Sequence, residues 1–423
     1  MRAVVSRRRT RPSRLVGVVE DTMILTQCAC CAAPLPHLAK QCSRCKTRYC
    51  GPACQKTHWE EGGHKDQCKQ IKRGGGAEQY HADKKCTAAV TVAAEACAED
   101  TKGQTCYICT QAVHWKTKEG LVRGCACRGT AGFAHVSCLA EQAKILVAEA
   151  YENNLDVKVK NARWRRWSDC SLCEQQYHGV VACALGWACW KTYLGRPETD
   201  WARDSAMNRL GGGLYAARHF EDALSVGEAH LASMRRTGTS VQSVLALQSN
   251  ISGIYDMLGR NEQALPMRQD AYSGCLKYYG EGDPRTLLVV NNYAHSLFSL
   301  RRFKEGKSLL RKTIPVARRI LGENHNLTLR MRKMYARALY KADGATLDDF
   351  REAVTTLEDA SRIARRVLGG AHPLTEGIEE DLQNARAVLR ARKDADDAVE
   401  SLREAMAAMM PGDAQGKVLA PTA

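Results

Sequence analysis

The longest apolar run of the chain is VVACALGWACW, Val180–Trp190, with no charge inside it. It is about half the ~20 residues a membrane span needs, so it predicts a buried helix rather than a transmembrane one. From about Trp201 helix formers dominate, and four segments echo one another: RHFEDAL (218–224), GRNEQAL (259–265), RRFKEGK (301–307) and DFREAV (349–354). Their central small residues, Ala223, Ala264, Gly306 and Ala353, are spaced by 41, 42 and 47 positions. Between them recur YYGEGDPRTL, ILGENHNLTL and VLGGAHPLTE, which close helices at Gly280, Gly322 and Gly369. A small residue at a fixed place in a fixed period predicts stacked helical hairpins, because it lets paired helices approach closely. The glycine runs Gly74–Gly76 and Gly211–Gly213 lack the Lys-Ser/Thr ending of a phosphate loop and read as a linker and a helix start.

This pattern resembles tetratricopeptide (TPR) repeats of the long, kinesin-light-chain type. It covers 201–373, and a helix after Pro373 is expected to cap the stack, giving a repeat region over 201–410 and a tail over 411–423. Gly306 stands in place of the usual alanine, and Asp343 to Asp349 carries a five-residue insertion. The resemblance implies a groove for protein ligands. Residues 301–341 hold 13 Lys or Arg against Glu305 and Glu323, a stretch that suits an acidic peptide or forms a solvated basic face.

Composition adds two facts. The formal net charge is +16, and the first 14 residues carry six arginines with no acid before Glu20, so 1–27 reads as a basic disordered tail, a targeting segment or a basic arm. All of the 20 cysteines except Cys275 precede residue 190. No apolar signal-peptide core follows the start, so an intracellular protein, of cytoplasm or nucleus, is the expectation. Clustered cysteines in a reducing compartment more often hold metal than form disulfides.

Four C-x2-C pairs stand in the first half: Cys28/Cys31, Cys42/Cys45, Cys106/Cys109 and Cys170/Cys173. Such a knuckle turns both sulfurs toward one point, about 2.3 Å from a shared zinc, and supplies half a tetrahedral site. The first cluster continues with Cys50, Cys54, His64 and Cys68, the last two sharing a face if helical. The second continues with Cys125, Cys127, His135 and Cys138. Eight ligands each make two closed tetrahedra, which read as structural. Cys30 is surplus, and Cys86, Cys97, Cys183 and Cys189 read as core or helix-face residues.

The first cluster, over 28–68, resembles the MYND zinc finger in its YC…CQ…HW…HK…C pattern. The family's interleaving implies one zinc on Cys28, Cys31, Cys50 and Cys54, and another on Cys42, Cys45, His64 and Cys68. Gly62 and Gly63 absorb a gap longer than the family's, which leaves His58 as a rival ligand. The second, over 106–178, has one residue between its third and fourth ligands and seven before the histidine, resembling the RING-CH (RING-variant) finger, as do CYIC and HVSCL. That resemblance implies one zinc on Cys106, Cys109, His135 and Cys138, and another on Cys125, Cys127, Cys170 and Cys173. Residues 69–105 read as a linker and 179–200 as a connecting helix.

The expected fold is mostly α: two small zinc-stabilised cross-brace fingers followed by an α-helical TPR solenoid, with four zinc ions. The RING-CH resemblance implies a ubiquitin-protein ligase that recruits a ubiquitin-conjugating enzyme through Ile108 and has no catalytic nucleophile of its own. The MYND resemblance implies short proline-containing peptide ligands, so the MYND finger and the TPR groove would select substrate proteins. Gln142 stands where the RING-CH family often has Trp, Glu174 follows the last ligand, and the Cys138–Cys170 interval is long. These keep a second reading open, a non-catalytic protein-binding scaffold. Nucleic acid is a weaker candidate, since the basic stretch lacks interleaved aromatics, and no membrane partner is expected.

Overall fold

The computed structural model describes residues 27–33, 35, 39–370 and 372–409. The arginine-rich start and the 411–423 tail, discussed above from composition, lie outside the described residues. The protein is mostly α, with fifteen α-helices and one two-stranded sheet among the described residues. It divides into two compact units, before and after the Ser240–Val241 bond.

The first unit holds both cysteine-rich regions. A minimal antiparallel ladder pairs β1 (Lys40–Gln41) with β2 (Arg48–Tyr49). Two short helices follow, α1 (Pro52–Glu60), opened by Pro52 where a missing N–H costs nothing, and α2 (His64–Arg73). The segment read as a linker contains a 20-residue helix, α3 (Ala77–Ala96), whose N-cap is Gly76. The second cysteine region leads into α4 (Val136–Glu152), α5 (Val157–Trp164), a 3-10 turn at Arg165–Trp167 and α6 (Gly179–Tyr193). The unit closes with the first repeat hairpin, α7 (Trp201–Ala216) and α8 (Phe220–Thr237).

Helix α6 is the apolar run met first in the sequence, and it is the unit's core. Leu185, Trp187, Cys189 and Trp190 are each 2% exposed or less, because α3, α4 and α7 all pack on it. Burying each such side chain contributes roughly 1.5–3 kcal/mol. No helix among the described residues is long and apolar enough to cross a membrane. Gly211–Gly213 corrects the sequence reading: it lies inside α7, not at its start. A Cβ on Gly213 would sit 2.6 Å from the Ala182 carbonyl oxygen, and one on Gly186 3.0 Å from that of Arg209. Helix α6 therefore touches α7 backbone to backbone, and the glycines are required by that closeness rather than by a turn.

An aromatic chain joins α4, α5, α6 and α7. Tyr151 stacks on Trp201 with ring centroids 4.5 Å apart, Trp164 meets Trp201 edge-on at 4.9 Å, and Tyr193 lies 5.4 Å from Trp164 and 5.8 Å from Trp167. Offset and edge-on pairs of this kind add about 0.5–1.5 kcal/mol each beyond area burial.

The second unit contains three further hairpins: α9 (Val241–Met257) with α10 (Asn261–Tyr279), α11 (Pro284–Ser299) with α12 (Phe303–Leu321), and α13 (Asn326–Lys341) with α14 (Leu347–Leu368). Helix α15 (Pro373–Met409) packs its first part on α14 and α13. Ala264 and Ala353 are fully buried at their helix crossings. At the equivalent place a Cβ on Gly306 would lie 2.1 Å from the Phe298 ring, so the aromatic fills the volume that the repeat elsewhere gives to a methyl. Gly280, Gly322 and Gly369 end their helices with φ of 82, 90 and 87 and ψ of 171, 162 and 161. That corner of conformational space is open essentially to glycine alone. The Asp343–Asp349 insertion forms a turn and a capping box, in which Thr346 and Asp349 each bind the other's backbone N–H.

Seven of the thirteen cations of the basic stretch 301–341 meet a carboxylate of the chain, Arg301 reaching Asp343. Arg302 pairs with Glu305, Lys307 with Asp349, Arg318 with Glu323, Arg332 with Glu323 and Asp359, and Lys333 and Arg337 with buried Asp381. Lys304, Arg311, Lys312, Arg319, Arg330 and Lys341 have no carboxylate partner among the described residues.

Candidate metal centres

Each C-x2-C pair folds into the same loop. The N–H of the first cysteine donates to the carbonyl five residues on: Cys28 to Ala33 at 2.8 Å, Cys42 to Thr47 at 2.8 Å, Cys106 to Gln111 at 3.0 Å, Cys170 to Gln175 at 2.9 Å. The residue after the second cysteine donates back to the first cysteine's carbonyl, from Ala32, Lys46, Thr110 and Glu174, at 2.8–3.0 Å. Closing the loop forces these four non-glycine residues to positive φ, at 55, 67, 62 and 57. Such values are strained for side chains bearing a Cβ, most of all for β-branched Thr110. Inside the loop the N–H of Ile108 points at Cys106 Sγ and that of Leu172 at Cys170 Sγ, both 3.4 Å away. Four strained corners recurring at one place show that something other than local preference fixes the loops.

The eight predicted residues of each region gather into four groups whose donor atoms lie within 4.8 Å of one another. They are Cys28, Cys31, Cys50 and Cys54; Cys42, Cys45, His64 and Cys68; Cys106, Cys109, His135 and Cys138; and Cys125, Cys127, Cys170 and Cys173. The pairs interleave, first with third and second with fourth, in both regions. His64 and Cys68 share one face of α2, Cys54 lies on α1, and Cys138 lies in the first turn of α4. Gly132, at φ 85, admits the Cys125/Cys127 pair, since a Cβ there would lie 2.6 Å from that of Cys127.

The spacings test what could fill these groups. With Zn–S about 2.3 Å, a regular tetrahedron has S···S edges of roughly 3.8 Å, and with Zn–N about 2.0–2.1 Å its S···N edges are roughly 3.6 Å. The observed separations are 3.7 Å for Cys31–Cys50, 3.8 Å for Cys42–Cys68 and 3.7 Å for Cys127–Cys170, with Cys50–Cys54 shorter at 3.3 Å. Cys45 lies 3.5 Å from His64 Nε2, while Cys109 and Cys138 lie 3.3 and 3.7 Å from His135 Nδ1. A disulfide requires about 2.05 Å, and all twenty thiols are free. All four groups could bind zinc.

Electrostatics favour the liganding form of both histidines and of some cysteines, while burial first, and neighbouring sulfurs after it, raise Cys68, Cys125, Cys127 and Cys138. Burial, with help from neighbouring His58, pulls the His64 imidazole down to about 4, and burial likewise lowers His135, so both rings are neutral near pH 7. Burial opposes ionisation of Cys28, yet the N–H groups of Cys50, Cys30 and Cys31 aimed at its sulfur bring it down to about 7. The N–H of Gln175 does the same for Cys173, also to about 7.

The remaining candidates fall outside the groups. His58 receives the Tyr49 hydroxyl at 3.0 Å on Nδ1 and stacks on His64 at 5.1 Å, so it backs a ligand rather than replacing one. Cys86, Cys183 and Cys189 are buried on α3 and α6, and Cys97 ends α3. Ile108 is half-buried and Leu172 is 52% exposed, at matching places in two knuckles that Tyr107 and Ser171 join at 3.0 Å, hydroxyl to hydroxyl. Sequence reasoning missed Thr47, whose hydroxyl is 3.0 Å from Cys45 Sγ. It also missed Glu119, whose carboxylate accepts from the N–H and hydroxyl of Ser137 at 2.7 and 2.9 Å and so caps α4 beside His135. A carboxylate 18 residues upstream leaves no periodic trace.

Residues 106–173 match the model of the RING-variant domain, and residues 286–327 that of the tetratricopeptide repeat. No curated protein matches the chain. Among solved structures, a Podosopora anserina protein of nearly identical TPR-like repeats, named for kinesin light chain, is 21% identical with a TM-score of 0.40, covering 48% of this chain and 93% of its own. BtubC (BKLC) from P. vanneervenii is 15% identical at a TM-score of 0.40, covering 68% and 98%. The TPR2AB domain of yeast Sti1, solved in complex with pHSP90, is 13% identical at a TM-score of 0.21, covering 59% and 99%.

Proposed function

We propose that this chain is a zinc-dependent adaptor acting as a ubiquitin-protein ligase, with four structural zinc ions, two in each cysteine region. The residues from Cys28 to Cys68 would form a MYND-type finger. The RING-variant finger recruits a charged ubiquitin-conjugating enzyme, and the MYND-type finger and helical repeats hold substrate proteins. The finger supplies no nucleophile; it holds the partner's thioester in a reactive conformation, so the gain is positional. The observation that carries this reading is the pairing of Ile108 and Leu172, apolar residues at matching points of adjacent knuckles bridged by Tyr107 and Ser171. Two apolar side chains on knuckles joined in this way suit an apolar contact with a partner. The zinc-loaded chain, assayed for autoubiquitination with a panel of conjugating enzymes, is expected to form chains with at least one. Ile108→Ala and Leu172→Ala are expected to lose that activity while keeping their zinc. Activity unchanged in both variants would end this reading.

A second reading is a scaffold without ligase activity. Glu174 favours it, because it places an acidic side chain directly after the last knuckle, where active RING fingers carry a basic or polar one. No chains with any member of the panel, together with retained zinc, is the outcome that supports the scaffold.

A further inference from the structure

Four cations of α12 without a carboxylate partner lie on one side of it. Lys304, Arg311, Lys312 and Arg319 are all exposed. At 3.6 residues per turn they fall within roughly 100° of arc, along about 22 Å of helix. Helix α12 packs on α11 and α13 through its opposite side, where Gly306, Leu310 and Ala317 are buried.

The repeat supplies an internal comparison. Counted from the small residue at each crossing, the same four places hold Glu221, Glu228, Ala229 and Arg236 in α8, and Glu262, Gln269, Asp270 and Lys277 in α10. In α14 they hold Arg351, Glu358, Asp359 and Arg366. The last place is basic in every hairpin, as a helix C-terminus favours. The other three places sum to −2 in α8, −2 in α10 and −1 in α14, but to +3 in α12. Packing common to all the hairpins cannot produce that reversal. Acids of the next hairpin do not offset it, since Glu358 is engaged by Arg386, and Asp359 by Arg332 and Arg362. A row of like charges without counter-charge repels itself in the single chain, and an anionic ligand would relieve that repulsion.

The kind of anion follows from what lies between the cations. Ser308 and Pro315 occupy the middle of the row, so it offers no aromatic ring on which a nucleic-acid base could stack. Nor does it carry a bulky apolar side chain to enter a bilayer. The cations are seven or eight residues apart, two helical turns, which is the spacing at which one face of a second helix lying alongside would present carboxylates.

We propose that the exposed face of α12 binds an acidic segment of a partner protein, a helix with Asp or Glu repeated along one face. This rests on the reading of the repeats as a protein-binding module, and not on ligase activity. The probe is a synthetic helical peptide with glutamates on one face, beside a scrambled peptide of the same composition. Fluorescence anisotropy with the full zinc-loaded chain, without conjugating enzyme, is expected to show micromolar binding of the one-faced peptide. Binding should weaken as salt shortens the screening length to about 10 Å at 0.1 M and below, and the scrambled peptide should bind more weakly. K304E/R311E/K312E should lose about tenfold or more in affinity with melting and zinc content unchanged, and should instead bind the peptide with lysine in place of glutamate. R390E/R392E/K393E, an equal change of net charge at exposed positions of α15, should bind the acidic peptide as the unmodified chain does. No binding, equal binding of the scrambled peptide, or equal loss in both reversed chains would overturn the proposal. So would tighter binding of oligo-dT, of a phosphatidylserine vesicle or of a second copy of the chain that K304E/R311E/K312E abolishes, because the face would then belong to that occupant.

Discussion

The hydroxyls of Tyr107 and Ser171 meet at 3.0 Å, tying the first knuckle of the RING-variant finger to its last across 64 positions of sequence. The bonded residues directly precede Ile108 and Leu172 in sequence, so its loss tests whether the mutual placement of the two knuckles matters. Tyr107→Phe should cost about 1 kcal/mol, a fall of roughly 2–4 °C in the melting of a unit this size. Zinc content should be unchanged, and chain formation should fall less than in Ile108→Ala.

Metal removal separates the two units. A small structural site supplies apparent binding energy of about 10–16 kcal/mol per zinc, comparable with the whole stability of a domain. Native mass spectrometry of the intact chain should therefore show four zinc ions. A chelator should expose residues 27–73 and 106–178 to hydrogen exchange while α9–α14, which contain no cysteine–histidine group, stay protected.

The same sites set an acid limit. The folded pKa of His64 is lowered to about 4 by burial, whereas an unfolded histidine titrates near ~6.5. The unfolded state thus binds more protons below ~6.5, so this contribution to stability is fully present above that pH and is lost as the pH falls toward about 4. Bound zinc, which needs the neutral ring, extends the window downward. A zinc-indicator titration should show retention at neutral pH and release only on acidification beyond ~6.5.

Strain at the knuckles gives an unusual sign. Thr110 sits at φ 62, a conformation costing about 1–2 kcal/mol for a residue with a Cβ, so Thr110→Gly should stabilise the finger by about 0.5–1 kcal/mol after its greater unfolded entropy is offset. Thr87→Gly, inside α3, should instead destabilise by up to about 1 kcal/mol. Paired melting curves decide both.

In the repeats, Gly306→Ala should cost about 1–3 kcal/mol, since its methyl would overlap the Phe298 ring. Adding Phe298→Leu should recover part of the loss. A double-mutant cycle that came out additive would mean the two do not share that space.

The gathering of the sixteen candidate ligands into four groups was legible because their intervals are short and fixed, two residues within a knuckle and three between His64 and Cys68. The hairpins were legible because their crossings recur in one register, down to Gly306. The backing of the ligands was not: Thr47, His58 and Glu119 act through folded proximity without any fixed spacing. Gly211–Gly213 was misplaced because a glycine demanded by a neighbouring backbone looks the same in sequence as one demanded by a turn. The basic stretch likewise hid its ion pairs, since Lys307 finds Asp349 at 42 positions and Arg337 finds Asp381 at 44.

The aromatic chain through Tyr151, Trp164, Tyr193 and Trp201 has a mechanical meaning. It welds the finger's long helix to the first hairpin, so the two turn together under any load. A protein that gripped Ile108 and Leu172, as proposed, would be held at a set bearing to α7 and α8, the block acting as a set square rather than a leash. Loosening the weld, as in Trp201→Ala, would blur that bearing while leaving every thiolate in place.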